Sequence, residues 1–132
     1  MGMDVPYLYR SLVFGAVCGL YRLIEGFEKQ EIDIEKVIAV GGISKKSPYV
    51  MQMLSDLSGR EIYILDSDQT CAQGAAMYAV VGAGIYETLE VAAEHMAAKC
   101  IKIYKPDSEK KDWYKKHYQE YLKLAEAVNK LS

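Results

Sequence analysis

Residues 37–48, Val37-Ile38-Ala39-Val40-Gly41-Gly42-Ile43-Ser44-Lys45-Lys46-Ser47-Pro48, set a short apolar run directly against two glycines and a Ser-Pro pair. Four consecutive apolar residues without polar alternation read as a strand covered on both faces. The glycines suit a tight exit from that strand, since glycine is the default residue for a positive φ. Ser47 followed by Pro48 then predicts a helix start, with serine as N-cap and proline at the first helical position. That helix should run to about Leu57 and stop at Ser58-Gly59. Glu61-Ile62-Tyr63-Ile64-Leu65 is a second strand of similar length, and the helical segment between the two is long enough for a parallel crossover. The spacing thus predicts a βαβ unit and places the chain in the α/β class, with short parallel strands at 37–40 and 61–65.

Upstream, Asp4 can cap a helix running to about Lys29, with Pro6 in its first turn and Leu8, Leu12, Gly15, Ala16, Gly19, Leu23 and Phe27 at steps of three and four. Glycines 15, 19 and 26 each cost about 1 kcal/mol relative to alanine inside a helix, so close approach to Ser11, Gly15 and Gly19 is expected. Downstream, Asp66 and Asp68 precede a helix with Ala72, Ala75, Ala76, Ala79, Val80 and Ala83 on one low-bulk face, a face suited to tight packing. The two acids read as capping residues at the positive end of that helix. A further helix over about Glu87 to Lys99, an extended piece at Ile101, Ile103 and Tyr104, and a tyrosine-rich terminal helix from Asp107 complete the order. The chain is expected to be one fragment, with residues 4–105 as a lobe portion and 106–132 as a helical tail. Two confident parallel strands are few for a complete domain, and Met1-Gly2-Met3 reads as an internal start, so a longer parent chain is expected.

Length and charge narrow the function. A chain of 132 residues is one ordinary domain in size. Sixteen basic against eighteen acidic side chains, net −2, with no basic block between aromatics, exclude the electrostatic footprint of a nucleic-acid binder. No apolar run reaches the roughly 20 residues that span a bilayer, and the start lacks a signal-like apolar core; the chain reads as cytoplasmic. Cys18, Cys71 and Cys100 form no C-x-x-C, and Cys18 and Cys71 read as small buried fillers. His95 and His117 share no metal-ligand spacing, and no nucleophile and base pair is recognisable.

In open parallel sheets ligands bind beyond the carboxyl ends of the strands. Here those ends carry Gly41 to Lys46 and Asp66 to Thr70, which should share an edge. Gly41-Gly42 is neither a dinucleotide fingerprint nor a P-loop, because no third glycine and no G-K-[ST] follow. Composition and spacing alone therefore leave two readings open, a bare turn or a ligand edge.

Three motifs resolve that choice by resemblance. The run from Val37 to Gly84, the segment SDQTCAQGAA at 67–76 and the opening LYRSLVFGAVCGLYRLIEGF at 8–27 resemble the carboxyl-terminal lobe of the FGGY carbohydrate kinases, and within them the branch acting on L-ribulose. The resemblance covers nearly the whole chain. It implies an actin-type, ribonuclease H-like ATPase lobe with an α-β-α-β-α core, in a two-lobed kinase that moves the γ-phosphate of ATP to a sugar hydroxyl, here the 5-hydroxyl of L-ribulose. Gly41, Gly42, Ile43 and Lys46 carry over as adenosine-side contacts; ATP and Mg2+ are the implied cofactors, with Mg2+ held mainly by parts outside this chain. Ser47 stands where many members have asparagine and is expected to cap its helix instead. Gly74, Ala75 and Ala76 carry over as close-packing residues. The catalytic base, the sugar site and a strand meander should lie upstream, so the fragment is expected to be inactive alone and to self-associate through an open sheet edge. A kinase for another pentose or hexulose, or a non-catalytic interaction module on the same scaffold, remains as an alternative.

Overall fold

The computed structural model describes residues 4–130; Met1-Gly2-Met3, read above as an internal start, lies outside them. The first helix, α1, spans Val5–Glu28. The Asp4 carboxylate accepts from the Tyr7 amide at 2.8 Å, which satisfies one of the free N–H groups that every helix start leaves. The strand of the opening stretch, β1, is Val37–Ala39, so Val40 already belongs to the loop. A five-residue helix, α2, follows at Gly42–Lys46, where the sequence led us to expect only a turn. The helix α3 spans Pro48–Ser58. Ser47 occupies its N-cap position but makes no side-chain capping hydrogen bond; its backbone instead closes α2, its amide donating to the Ile43 carbonyl at 2.9 Å. Two helices end and begin on this one residue, and its φ of −124° and ψ of 79° serve that junction. Gly59 ends α3 in the left-handed region at φ 68°, where an L side chain is strained.

Strand β2 is Ile62–Leu65, one residue shorter than expected at its start. It pairs in parallel with β1, with Val37, Ile38 and Ala39 opposite Ile62, Tyr63 and Ile64. The expected βαβ unit is therefore present. A third strand, β3 at Cys100–Tyr104, joins antiparallel to the far side of β2 with Ile103 opposite Tyr63. The sheet order is β1-β2-β3, so the extended piece at 101–104 closes one edge of β2 and leaves β1 as an edge.

Between β2 and β3 run α4 at Thr70–Gly82 and α5 at Leu89–Met96, and the terminal helix α6 spans Ser108–Asn129. The core lies on one sheet face. It gathers Val17, Cys18 and Tyr21 from α1, Met51, Met53, Leu54 and Leu57 from α3, Ile62 and Ile64 from β2, Tyr104 from β3 and Tyr118 from α6. Cys18 is a buried filler as expected, and burial pushes its thiol up to about 12. Cys71 is exposed, contrary to the expectation.

The low-bulk face of α4 is not used for close packing within the described residues. No residue of α4 is buried, and a Cβ added at Gly74 would meet nothing within 4 Å. Likewise Gly15 faces open space, while Gly19 approaches only the Tyr121 hydroxyl, at 3.8 Å from its notional Cβ. Ile38, Tyr63 and Ile103 form a cross-strand row on the sheet face away from the core, and Ile38 and Ile103 are exposed. No described helix is long and apolar enough to cross a membrane.

Candidate functional site

The carboxyl ends of β1 and β2 meet as the parallel pairing requires. Gly41 leaves β1 at φ 87° and ψ 178°, a combination that only glycine adopts without strain. Its need for glycine is therefore met by backbone geometry alone. Gly42 differs: it is the first residue of α2, its φ is not positive, and an added Cβ would meet nothing within 4 Å. Neither the local conformation nor packing within the described chain calls for glycine there, and in a helix glycine is a disadvantage.

The rest of the loop is held from below. Ser44 is buried and its hydroxyl donates to the Gly41 carbonyl at 2.7 Å, tying the turn of α2 to the end of the strand. Ile43 is 65% exposed, an apolar side chain beside bare backbone. Lys46 is exposed too. Gly41, Gly42, Ile43 and Lys46 thus form an open strip of backbone, apolar surface and positive charge.

Lys45 is not solvated as an isolated lysine ahead of a helix would be. Its ammonium donates to Asp66 Oδ1 at 3.0 Å and to Asp68 Oδ1 at 2.9 Å, across to the loop after β2. The hydrogen bond to Asp68, followed by that to Asp66, raises the lysine above its ordinary value, and the same contact holds the Asp68 carboxyl below its own. The two aspartates were expected to cap α4; instead no acidic residue lies in its first turn, Gln69 is its N-cap, and both carboxylates turn to Lys45. Beside them, the Thr70 hydroxyl is buried without a hydrogen-bond partner among the described residues. Sequence reasoning passed over Lys45 because nothing local marks it. The signal was topological: a lysine in one loop and two acids in the next, at strand ends that a parallel pair must bring to one edge.

The edge offers backbone, the exposed apolar side chain of Ile43 and the exposed cation of Lys46, whose charge also helps hold the Asp68 carboxyl low. Among the described residues no three His, Cys, Asp or Glu side chains cluster as metal ligands would. The concavities between α1, α3 and α6, of about 270 and 350 Å³ and walled by Arg10, Tyr49, Trp113 and Tyr114, contain none of the residues of either loop.

Comparison with known proteins gives a consistent result. A sequence model of the FGGY family of carbohydrate kinases, C-terminal domain, matches residues 1–83. The ribulokinase of Vibrio parahaemolyticus is 36% identical over 132 residues, which is 100% of this chain and 23% of that protein. The ribulokinase of Shouchella clausii is 38% identical over 121 residues, 89% of this chain and 22% of that protein. The chain thus spans less than a quarter of the length of these relatives. Among solved structures, xylulose kinase from Rhodospirillum rubrum superposes with a TM-score of 0.80 at 17% identity, over 99% of this chain and 27% of its own. Gluconate kinase from Lactobacillus acidophilus does so at 0.81 and 21%, over 100% and 28%. At those identities the structural likeness establishes the fold and nothing finer.

Proposed function

The chain belongs to the FGGY family of carbohydrate kinases, and on that premise we propose that it is the ATP-binding portion of a kinase that phosphorylates a sugar, L-ribulose at its 5-hydroxyl. Residues 4–105 would be the lobe portion and α6, within 106–132, the helix that closes its core. The observation that carries the nucleotide reading is Gly42. Its missing side chain has no conformational or packing reason among the described residues, whereas a ligand lying against the α2 backbone would supply one. In this reading adenosine rests on Gly41 and Gly42, with Ile43 against its apolar face and Lys46 beside it. The choice of L-ribulose rests on the likeness to ribulokinases at 36% and 38% identity; a relative acting on another pentose or hexulose would share the same edge.

ATP fits what is present, since the strip is bare, partly apolar and positive. When bound, ATP supplies the phosphoryl group, and Mg2+ the charge neutralisation that such transfer requires. The residues of this chain would bind and orient the nucleoside end, while the metal and the sugar would be held by other parts of the protein. The whole kinase would act in the cytoplasm.

Calorimetry of ATP at millimolar concentration against the 132-residue chain tests the reading. Gly42→Ala and Gly42→Asp both place their side chains in open space, so each should fold at least as stably as the parent. The aspartate variant should nevertheless lose ATP binding, through bulk against adenosine and charge against the phosphates. Equal ATP affinity in the parent and in Gly42→Asp, or no binding by the parent, would favour the interaction-module reading.

A further inference from the structure

We propose that Lys45 is a positioning residue of the nucleotide edge, holding the Gly41–Lys46 segment against the Asp66–Asp68 loop so that the strip is formed before ATP arrives. The inference rests on the adenosine reading of Gly41 and Gly42. Helix α2 has five residues, far below the length at which a helix is stable by itself in water. Something tertiary must order it. On its inner side Ser44 is buried, and its hydroxyl closes a local bond to the carbonyl of the N-cap residue Gly41 at 2.7 Å. On its outer side the described residues show one tie that crosses to another element, the Lys45 ammonium shared between Asp66 at 3.0 Å and Asp68 at 2.9 Å.

The chemistry of the tie suits this role. One ammonium with three donors can satisfy two carboxylates at once, so a single side chain couples the exit of β1 to the exit of β2. Its side chain is 24% exposed, whereas Asp66 and Asp68 are 60% and 80% exposed; the lysine lies in the seam and the acids reach over it. Held there, Lys45 is unavailable to phosphate and acts through loop geometry, leaving Lys46 as the exposed cation of the strip. A nucleotide that met a disordered loop would have to order it on binding, and that cost would appear as lost affinity.

The test is made on the 132-residue chain with Lys45→Met, Lys45→Arg, Asp68→Asn, the double variant Lys45→Met/Asp68→Asn, and Lys130→Met as a control that breaks the exposed pair with Glu126. Two readouts are taken: exchange of the Ser47 amide, which donates to the Ile43 carbonyl at 2.9 Å, and ATP affinity by calorimetry. The expected result is faster Ser47 exchange and about three- to tenfold weaker ATP binding in Lys45→Met, the modest scale of an exposed ion-pair network. Lys45→Arg should recover most of both, the double variant should lose no more than Lys45→Met alone, and Lys130→Met should change neither. Unchanged Ser47 exchange in Lys45→Met overturns the tie whether or not ATP binds. Faster exchange with unchanged affinity overturns its role in positioning. Faster exchange in Lys45→Met together with a parent chain that binds no ATP overturns the adenosine reading and with it the nucleotide role of Lys45.

Discussion

At the scale of single residues, one buried tyrosine anchors the tail to α1. Tyr118 is fully buried, its hydroxyl donates to Glu25 Oε2 at 2.7 Å, and its ring meets Tyr21 edge-on at 4.9 Å between centroids. Lys115 adds a hydrogen bond to the Tyr21 hydroxyl and sits over that ring at 4.4 Å. Removing the hydroxyl in Tyr118→Phe keeps the ring but leaves Glu25 without its donor, and should cost about 1–2 kcal/mol in chemical denaturation. Tyr118→Ala also opens a cavity and should cost about 3–5 kcal/mol. Burial, then the Glu25 carboxylate, pushes Tyr21 up to about 12, and Tyr118 is raised by the same two causes. Both are raised above the free tyrosine value of about 10. The contribution of Tyr21 is therefore complete below about pH 10 and is lost as the pH climbs through about 12, and that of Tyr118 is lost in the same alkaline direction. Alkaline unfolding followed by tyrosinate absorbance should show tyrosine ionisation coincident with unfolding, and Tyr118→Phe, which cannot ionise at this position, should lose stability less steeply with rising pH. The residue pattern of the tail, with Trp113, Tyr114, Tyr118 and Tyr121 at helical steps, was legible in the sequence. That Tyr118 is the one of these four that is fully buried, and that it finds Glu25, was not, because 93 residues separate the two.

Among the elements, the sheet holds the sharpest contrast between the two faces. Ile62 and Ile64 of β2 are buried, whereas Ile38 of β1 and Ile103 of β3 flank Tyr63 on the other face and are exposed. With β1 at an edge of the order β1-β2-β3, its unpaired backbone groups lie next to that apolar row, the arrangement that draws another strand. Ile38→Lys should suppress association of the chain without destabilising it, since the lysine would stand in solvent. Sedimentation velocity at high micromolar concentration should show a parent that self-associates and a variant that is monomeric; a monomeric parent would contradict the expectation. The helices tell a parallel story. The spacing predicts α1, α3, α4 and α6 because periodicity is a local property. Whether a low-bulk face is covered is not local, so the alanines of α4 revealed a helix but not its neighbour. The short α2 escaped prediction for the same reason, five residues carrying too little periodicity to read.

For the molecule as a whole, the proposed function makes the β1–β2 edge one wall of a cleft. Phosphoryl transfer depends on positioning and on charge stabilisation around the transferred group, and among the described residues no metal-ligand cluster accompanies the Gly41–Lys46 strip. The 132-residue chain should produce no sugar-dependent ADP with L-ribulose in a coupled assay, even where calorimetry shows ATP bound; turnover by the chain alone would refute the division of labour. The amino-acid sequence by itself determined the α/β class, the βαβ unit at 37–65, the helix ends at Asp4 and Gly59, and the family, since each is written in short-range pattern or in a run of motifs. Only the tertiary structure decided that β3 closes one side of β2, that Ser47 links two helices without capping either by its side chain, and that Lys45 joins the two loops. Those outcomes depend on which side chains arrive at the same place from distant parts of the chain. Gly41 and Gly42 show the division most plainly: identical in sequence, one is glycine because the backbone must turn through φ 87°, and the other is glycine beside open space.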